Sequence, residues 1–199
     1  MEELKRWELI NLYCIKYKYQ NYLEIGICNR WDCYEKVIAF NKEGVDPNPM
    51  YGCSHVMTSD DYFKQLDPNK KFDIIFIDGL HVKDQVMKDI INSLNHLNDN
   101  GVILLHDCLP LKEEHQFPED NGSIWNGDVW KAVAELRCTR NDLRIRTINT
   151  DYGIGEIKKS FSPVYIPIDT EYLTWNYFEK HKVEMMNIVP PPDLNLLNI

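Results

Sequence analysis

Two acid–histidine pairs stand out because each follows directly on a run of apolar residues. Asp78 and His81 come after the run FDIIFI, and His106 and Asp107 come after GVILL. Carboxylate oxygens are hard ligands for Mg²⁺ or Mn²⁺, and an imidazole is either a softer metal ligand or a base that works near neutral pH. The two pairs therefore indicate a site that holds a divalent metal and accepts a proton, provided that the fold brings them together.

The elements that must position these residues alternate between strand and helix patterns, which predicts a three-layer α/β fold with a mostly parallel sheet. The helical spacing of apolar residues predicts helices over residues 3–18, 31–40, 60–66, 82–97, 128–137 and 169–182, with Ser59 capping the third. Apolar runs predict five parallel strands over residues 21–27, 42–47, 52–57, 72–78 and 101–108. An antiparallel hairpin over residues 143–150 and 152–159 completes a sheet of seven strands.

Ligands of parallel sheets bind beyond the carboxyl ends of the strands, and polar residues fall at every predicted carboxyl end. They are Glu24 and Gly26, Asp46, Ser59 and Asp60, Asp78 and His81, and His106 and Asp107. Each also has a structural interpretation as a satisfied buried acid, a turn residue or a helix-end charge. Their coincidence at one edge of the sheet favours a binding site.

The whole chain of 199 residues is expected to be one domain (1–199), with an N-terminal helix in 1–19, a core in 20–160 and a C-terminal helix and tail in 161–199. A net charge of −9 without a basic block argues against nucleic-acid and anionic-membrane partners. The acidic N-terminus, which lacks an unbroken apolar core, is not expected to be a signal peptide, no run is apolar enough to predict a membrane helix, and the six cysteines form no CxxC pair. These features predict a reduced cytoplasmic protein, with its oligomeric state left open.

Residues 20–160 resemble the class I S-adenosylmethionine-dependent methyltransferases in the segments NYLEIGI, GVDP, TSDDYF, FDIIFIDGLH, GVILLHDCLP and GDVWKAV. The resemblance implies a Rossmann-like fold and S-adenosylmethionine as cofactor. It also implies a role in cofactor binding for Glu24 and Gly26 at the methionine part, Asp46 at the ribose hydroxyls, Ser59 and Asp60 at the adenine, and Asp78. One departure is the turn GICNRWD, where Cys28 and Arg30 stand at positions that are commonly glycine in the family.

The fourth and fifth strands are similar to those of divalent-metal-dependent O-methyltransferases of sugars and small molecules, such as catechol O-methyltransferase. This similarity implies Asp78, His106 and Asp107 as ligands of Mg²⁺ or Mn²⁺. It implies His81, three residues after the first ligand, as the catalytic base, with Asp78 beside it. His106 stands where the relatives carry an acid, which either favours Mn²⁺ or another transition metal or gives His106 only a supporting role.

The acceptor is expected to be a sugar, because two adjacent hydroxyl groups can chelate a metal, and a deoxyhexose such as rhamnose is the first choice. Within the loop of residues 109–127, Trp125 is expected to stack on the sugar ring or to anchor the loop. Asp128 is expected to bind a hydroxyl group or to cap the next helix. The composition also resembles methyltransferase domains of large-virus glycan-synthesis proteins, which would place the chain in the host cytoplasm within a longer protein.

Two other functions stay open at the level of sequence. Asp78, His81 and Asp107 could bind the substrate directly in a metal-independent methyltransferase. The same fold could also carry a nucleotide-dependent oxidoreductase or a non-catalytic nucleotide-binding module. The segment GICNRW lacks the G-x-G-x-x-G pattern that a dinucleotide enzyme requires after its first strand, which disfavours the oxidoreductase.

Overall fold

The computed structural model describes residues 3–120, 122 and 124–192, which contain a sheet of eight strands. The strands are β1 Asn21–Ile25, β2 Asn41–Asp46, β3 His55–Val56, β4 Phe72–Ile77, β5 Leu97–Leu105, β6 Leu143–Ile148, β7 Ile154–Lys159 and β8 Ile188–Val189. Their order across the sheet is β3-β2-β1-β4-β5-β7-β6-β8. β1 to β5 are parallel, β7 runs antiparallel to both β5 and β6, and β8 is parallel to β6. The predicted mostly parallel sheet with a closing antiparallel hairpin is confirmed, with eight strands rather than seven.

Helices cover both faces of the sheet, as the apolar strand runs predict. They are α1 Arg6–Tyr17, α2 Ser59–Gln65, α3 Lys83–His96, α4 Val129–Thr139 and α5 Trp175–Met185. Ile75 and Ile77 of β4 pack into one core with residues of α2 to α5, while Ile74 and Phe76 pack into a second core with α1. In the described part of the chain, no helix is long and apolar enough to cross a membrane.

The candidate residues follow β4 and β5, next to the point between β1 and β4 where the order of the strands reverses. The backbone N–H of Asp78 donates to the carbonyl of Ile25 at 2.8 Å, and that of His106 donates to the carbonyl of Ile77 at 3.0 Å. These bonds continue the sheet beyond the ends of its central strands. Both acid–histidine pairs are thereby fixed at the edge where ligands of this type of sheet bind.

The predicted helix over residues 31–40 is wrong, since only a single turn of 3₁₀-helix forms at Tyr34–Lys36. Side chains form hydrogen bonds with the backbone carbonyl and N–H groups that would bond to each other in an α-helix. The Nζ of Lys42 donates to the carbonyls of Tyr34 and Val37, and Asn11 bonds both the carbonyl of Lys36 and the N–H of Ile38. The helical spacing of apolar residues in 31–40 therefore does not correspond to one buried face. Tyr34 and Val37 are buried, whereas Ile38 is 58% exposed.

Cys28, where the family commonly has glycine, keeps the backbone conformation of a glycine, with φ at 47°. A residue with a Cβ is strained there by roughly 1–2 kcal/mol, and the exposed Cys28 side chain loses little packing on removal. We expect Cys28→Gly to raise the free energy of unfolding by about 0.5–1 kcal/mol, once the extra freedom of glycine in the unfolded chain is subtracted. Urea denaturation measures this change, with the buried Cys33→Gly as the destabilised contrast, and a less stable Cys28→Gly would contradict it.

Several predicted boundaries shift. The cap of α2 is Thr58 rather than Ser59, because the Thr58 hydroxyl accepts the N–H of Asp61. β5 begins at Leu97 instead of residue 101, since Leu97 pairs with Phe72 across an irregular register. The third strand has only two residues, and α5 begins at Trp175 rather than at 169. The extended tail of the prediction includes β8, and its residues 193–199 lie outside the described part.

Candidate functional site

Asp78, His81, His106 and Asp107 converge at the carboxyl ends of β4 and β5. The Nε2 of His81 lies 3.4 Å from Oδ1 of Asp78 and 3.5 Å from Oδ2 of Asp107. The Nδ1 of His106 lies 3.2 Å and 2.9 Å from the same two oxygens. The two pairs thus meet at one edge of the sheet, as predicted, and their four facing atoms form one polar cluster.

The outer atoms of the cluster are held by other residues. The Nδ1–H of His81 donates to the carbonyl of Trp125 at 3.0 Å, because a carbonyl can only accept, and this leaves Nε2 facing the carboxylates. The side-chain amide of Asn126 donates to Oδ1 of Asp107. The Nη1 of Arg6 donates to Oδ2 of Asp78 at 2.6 Å, while Oδ1 of Asp151 lies 3.4 Å from Nε2 of His106.

The charges of the cluster shift the pKa values of its members. Burial alone would raise the pKa of Asp78, but the charge of His106 and the contacts with His81 and Arg6 hold it well below its usual range. Burial would lower the pKa of both histidines. Asp78, Asp107 and Asp151 instead raise the pKa of His106 well above its ordinary value, and Asp78 and Asp107 raise that of His81. The three carboxylates of the cluster therefore favour the protonated form of both histidines and face the positive charge of Arg6.

Two glycines bring the backbone close to the cluster. Gly26 has φ at 85°, and a Cβ there would lie 2.1 Å from the carbonyl oxygen of Asp78. Gly127 has φ at 60°, and a Cβ there would lie 1.9 Å from the carbonyl oxygen of His81. Only glycine fits either position. The backbones of the turn after β1 and of the end of the 109–127 loop therefore pack directly against the segment that carries Asp78 and His81.

A cavity of about 550 Å³ adjoins the cluster at the ends of β1, β2 and β4. Its lining includes five of the six predicted cofactor residues, namely Gly26, Asp46, Ser59, Asp60 and Asp78, and also Gln85, Asp89 and Trp125. The Nε2 of Gln85 donates to Ser59, Asp60 and Asp89 at 3.1–3.2 Å. Another cavity of about 590 Å³ lies between α1 and β8, but none of the predicted residues lines it. The first cavity is therefore the candidate cofactor site.

Two predicted cofactor residues have structural partners of their own. Glu24 does not line the cavity, and its carboxyl group accepts a hydrogen bond from the hydroxyl of Tyr22 inside the core. Both oxygens of Asp46 accept backbone N–H groups, from Ile27 at 3.0 Å and from Asn48 at 2.8 Å. Asp46 thus fixes the turn after β1 as well as facing the cavity.

Burial raises the pKa of Glu24 to about 8, so this carboxyl is protonated in the folded chain at pH 7. Above the ordinary pKa of about 4.5 the carboxyl ionises in the unfolded chain but not in the folded one. The free energy of unfolding is therefore highest below pH 4.5 and falls as the pH rises toward 8. We expect Glu24→Gln to gain about 4 kcal/mol over the unaltered chain between pH 4.5 and pH 8, because glutamine does not ionise. Urea denaturation across this range measures the difference. A constant difference would show that Glu24 does not titrate there.

The loop residues predicted to bind substrate have defined contacts. Trp125 lies against His81, with ring centroids 4.7 Å apart, and its Nε1–H donates to the carbonyl of Phe117 at 2.9 Å. Asp128 is the residue before α4, but its carboxylate does not cap that helix. It accepts the N–H of Lys83 at 2.6 Å and so caps α3 instead. The loop-anchor interpretation of Trp125 therefore describes a real contact, whereas the prediction that Asp128 caps the following helix is wrong, because its carboxylate accepts the N–H of Lys83 at the start of α3.

The donor atoms of the cluster fit a divalent metal. One ligand atom each from Asp78, His81 and Asp107 lies within 4.8 Å of the others, and neighbouring ligands of an octahedral ion lie roughly 3 Å apart. Both ring nitrogens of His106 are buried without a well-aligned hydrogen bond, as is Oδ1 of Asn126. Two carboxylates and an imidazole suit Mg²⁺ less well than Mn²⁺ or another transition metal.

A family model described as a methyltransferase domain matches residues 10–108, the stretch that contains all four residues of the cluster. Residues 10–108 belong to this methyltransferase family. Among solved structures, the methyltransferase is similar to the O-methyltransferase TomG from Streptomyces achromogenes in complex with SAM, with a TM-score of 0.58 and 14% identity over 76% of this chain and 78% of that chain. None of the curated proteins matches the chain.

Two further structures have the same architecture. The SAH-bound PaMTH1 from Podospora anserina gives a TM-score of 0.54 and 20% identity, covering 78% of each chain. The O-methyltransferase from Bacillus cereus in complex with SAH gives 0.55 and 14%, covering 74% of the methyltransferase and 77% of that chain. At these identities the likeness establishes the fold, so the predicted class I methyltransferase fold is confirmed.

Three residues at the site of the methyltransferase escaped the sequence analysis, namely Arg6, Asn126 and Asp151. All three lie outside the matched residues 10–108. Arg6 stands in the first turn of an amphipathic helix, Asn126 in a long loop and Asp151 in a hairpin turn. None of these patterns points to a site, since each contact joins residues that are distant in the sequence.

Proposed function

We propose that this methyltransferase transfers a methyl group from S-adenosylmethionine to a hydroxyl group of a sugar, assisted by a divalent metal and by His81 as base. The observation that supports the proposal most is the double position of Asp78, which lines the 550 Å³ cavity and also belongs to the polar cluster. A cofactor in the cavity and an acceptor at the cluster would therefore meet on either side of one carboxylate. The SAM and SAH complexes among the similar structures support the choice of cofactor.

The cavity residues have separate tasks in this proposal. Gly26 gives the backbone access to the methionine part of the cofactor, because it carries no side chain. Asp46 accepts hydrogen bonds from the ribose hydroxyls with the lone pairs that its backbone partners leave free. Ser59 and Asp60, at the start of α2, flank the adenine. Glu24 supports the turn from within the core, since it does not reach the cavity.

The cluster activates the acceptor. Asp78, His106 and Asp107 would hold the metal, which when bound lowers the pKa of a nearby hydroxyl group. His81 accepts the proton on Nε2, while its Nδ1–H stays bonded to the carbonyl of Trp125. The acceptor oxygen forms a bond to the methyl carbon, the carbon–sulfur bond breaks, and sulfur keeps the electron pair. His81 cannot bind the metal and accept the proton through the same Nε2. We therefore propose that His81 is the base and does not bind the metal.

A sugar with two adjacent hydroxyl groups, such as rhamnose, is the proposed acceptor. The half-buried ring of Trp125 lines the cavity beside His81 and offers an apolar face to a sugar ring. Asp128 is left out of the proposal, because its carboxylate already caps α3 and contacts Lys131. No partner besides the acceptor is needed for the reaction.

One observation favours a metal-independent methyltransferase as the second candidate. The cluster already contains positive groups for its carboxylates, since Arg6 and His106 both contact Asp78. In that case Asp78 and Asp107 bind the acceptor hydroxyls directly. The two candidates differ in their response to chelators.

The test is a transfer assay with methyl-labelled S-adenosylmethionine against a panel of sugars that differ in single hydroxyl groups. We expect rhamnose-type sugars with a vicinal diol to be methylated, and matched sugars lacking one hydroxyl of the diol to react far more slowly. Transfer to no hydroxyl acceptor, despite binding of S-adenosylmethionine, would leave only the binding-module alternative. Equal rates with EDTA and with Mn²⁺ would favour the second candidate.

A further inference from the structure

The three carboxylates around His106 share one arrangement, in which a donor holds the outer oxygen and the inner oxygen faces the histidines. Arg6 donates from Nη1 to Oδ2 of Asp78 at 2.6 Å, and from Nε and the backbone N to Oδ2 of Asp151 at 3.1 and 2.9 Å. Asn126 donates to Oδ1 of Asp107. The oxygens left facing inward are Oδ1 of Asp78, Oδ1 of Asp151 and Oδ2 of Asp107.

The anchoring of Arg6 makes this arrangement rigid. The hydroxyl of Thr150 donates to the carbonyl of Leu4 at 2.6 Å, and the backbone N–H of Asp151 donates to Glu3 at 2.9 Å. Residues 3–6 are therefore tied to the turn between β6 and β7. The Arg6 side chain is only 28% exposed, and its guanidinium can span both carboxylates because its donors form a planar fork.

Asn126 is equally fixed. Its side chain is fully buried, its backbone N–H donates to the carbonyl of His115 at 2.9 Å, and the next residue is the obligatory Gly127. Asp107, its partner, has a left-handed backbone with φ at 61°, a strained conformation for a residue with a Cβ. The bond from Asn126 thus sets the orientation of a carboxylate that the backbone has already turned toward the cluster.

We propose that Arg6 and Asn126 are positioning residues that leave Asp78 and Asp107 one oxygen each for a divalent cation. This inference rests on the metal site of the proposed function. A carboxylate whose second oxygen is held by a donor binds a metal through one atom only, so coordination positions stay open for water or for both hydroxyls of a diol. When the hydrogen bond from Arg6 or Asn126 is removed, the carboxylate can bind the cation through both oxygens. Its second oxygen then occupies a coordination position that water or a hydroxyl group would otherwise take.

The number of metal-bound waters measures the effect independently of activity. We would load the full chain with Mn²⁺ and determine its exchangeable waters from water-proton relaxation, in the unaltered protein and in Arg6→Met, Arg6→Gln and Asn126→Ala. We expect each variant to lose about one water per bound Mn²⁺, because a second carboxylate oxygen takes its place. Arg140→Met and Asn95→Ala, which remove a half-exposed arginine and an exposed asparagine away from the cluster, should keep the unaltered number.

The outcomes separate this inference from the proposed function. Bound Mn²⁺ with the same number of waters in all variants would overturn the inference and leave the metal site intact. An unaltered chain that binds no Mn²⁺ would overturn both. Two Arg6 variants are included so that a folding defect specific to one of them, visible in its circular dichroism, does not decide the result.

Discussion

Replacing His81 by alanine is expected to lower the rate of methyl transfer by about 10²–10⁴-fold at neutral pH, the usual contribution of a positioned general base. The imidazole is the group whose Nε2 faces the carboxylates that would hold the metal beside the acceptor, while Nδ1 is fixed by Trp125. Binding of S-adenosylhomocysteine should change little, because His81 does not line the cavity. His181→Ala, which removes a histidine on α5, is the matched control.

The pH dependence of the rate also tests the role of His81 as the base. Asp78 and Asp107 raise the pKa of His81 above its ordinary value of about 6.5, so the basic form appears only above that pH. The rate of the unaltered enzyme should rise with pH through this range, and the midpoint should fall when Mn²⁺ is present, since bound cations offset the two carboxylates. Full turnover of His81→Ala at every pH would rule out His81 as the base.

Replacing Asp107 by asparagine is expected to reduce methyl transfer by at least about 10²-fold while cofactor binding is kept. Asp107 contributes a buried oxygen to the cluster but does not line the cavity, unlike Asp78. The loss should therefore appear in Mn²⁺ affinity and in turnover, and not in the affinity for S-adenosylhomocysteine. Asp99→Asn, at an exposed position of β5, controls for the removal of a carboxylate.

Titration calorimetry with Mn²⁺ and with S-adenosylhomocysteine distinguishes this expectation from a general loss of structure. An Asp107→Asn protein that loses both affinities would indicate a damaged fold. If it kept full turnover in the presence of EDTA, the carboxylate would have no part in the reaction. The unaltered protein sets the reference for both titrations.

The strands and the polar cluster of the site could be predicted because both depend on short, local stretches of sequence. The runs FDIIFI and GVILL are short, rich in β-branched and apolar residues and bounded by polar ones, which is typical of strands buried on both faces of a parallel sheet. Parallel strands end at the same edge and β4 and β5 are neighbours in the sheet, so the polar residues that follow them, Asp78, His81, His106 and Asp107, meet there. The cluster is therefore a consequence of the topology.

Long-range side-chain contacts explain what the sequence did not reveal. The contact of Arg6 with Asp151 spans 145 residues, and helical periodicity says nothing about which arginine turns inward. Asp128 looked like the cap of its own helix, but the fold places the start of α3 beside its carboxylate. The segment after β1 had the apolar period of a helix, yet Lys42 and Asn11 bond the carbonyls that the helix would need.

Reconstitution of the metal-stripped chain tests the central claim most directly. The protein is treated with EDTA, freed of chelator and assayed for transfer of labelled methyl from S-adenosylmethionine to a vicinal-diol sugar, with Mn²⁺ added in steps. We predict that the stripped chain binds S-adenosylhomocysteine but transfers almost no methyl, and that activity returns as Mn²⁺ saturates the site. Undiminished transfer by the stripped chain, with no response to Mn²⁺, would contradict the metal-assisted mechanism.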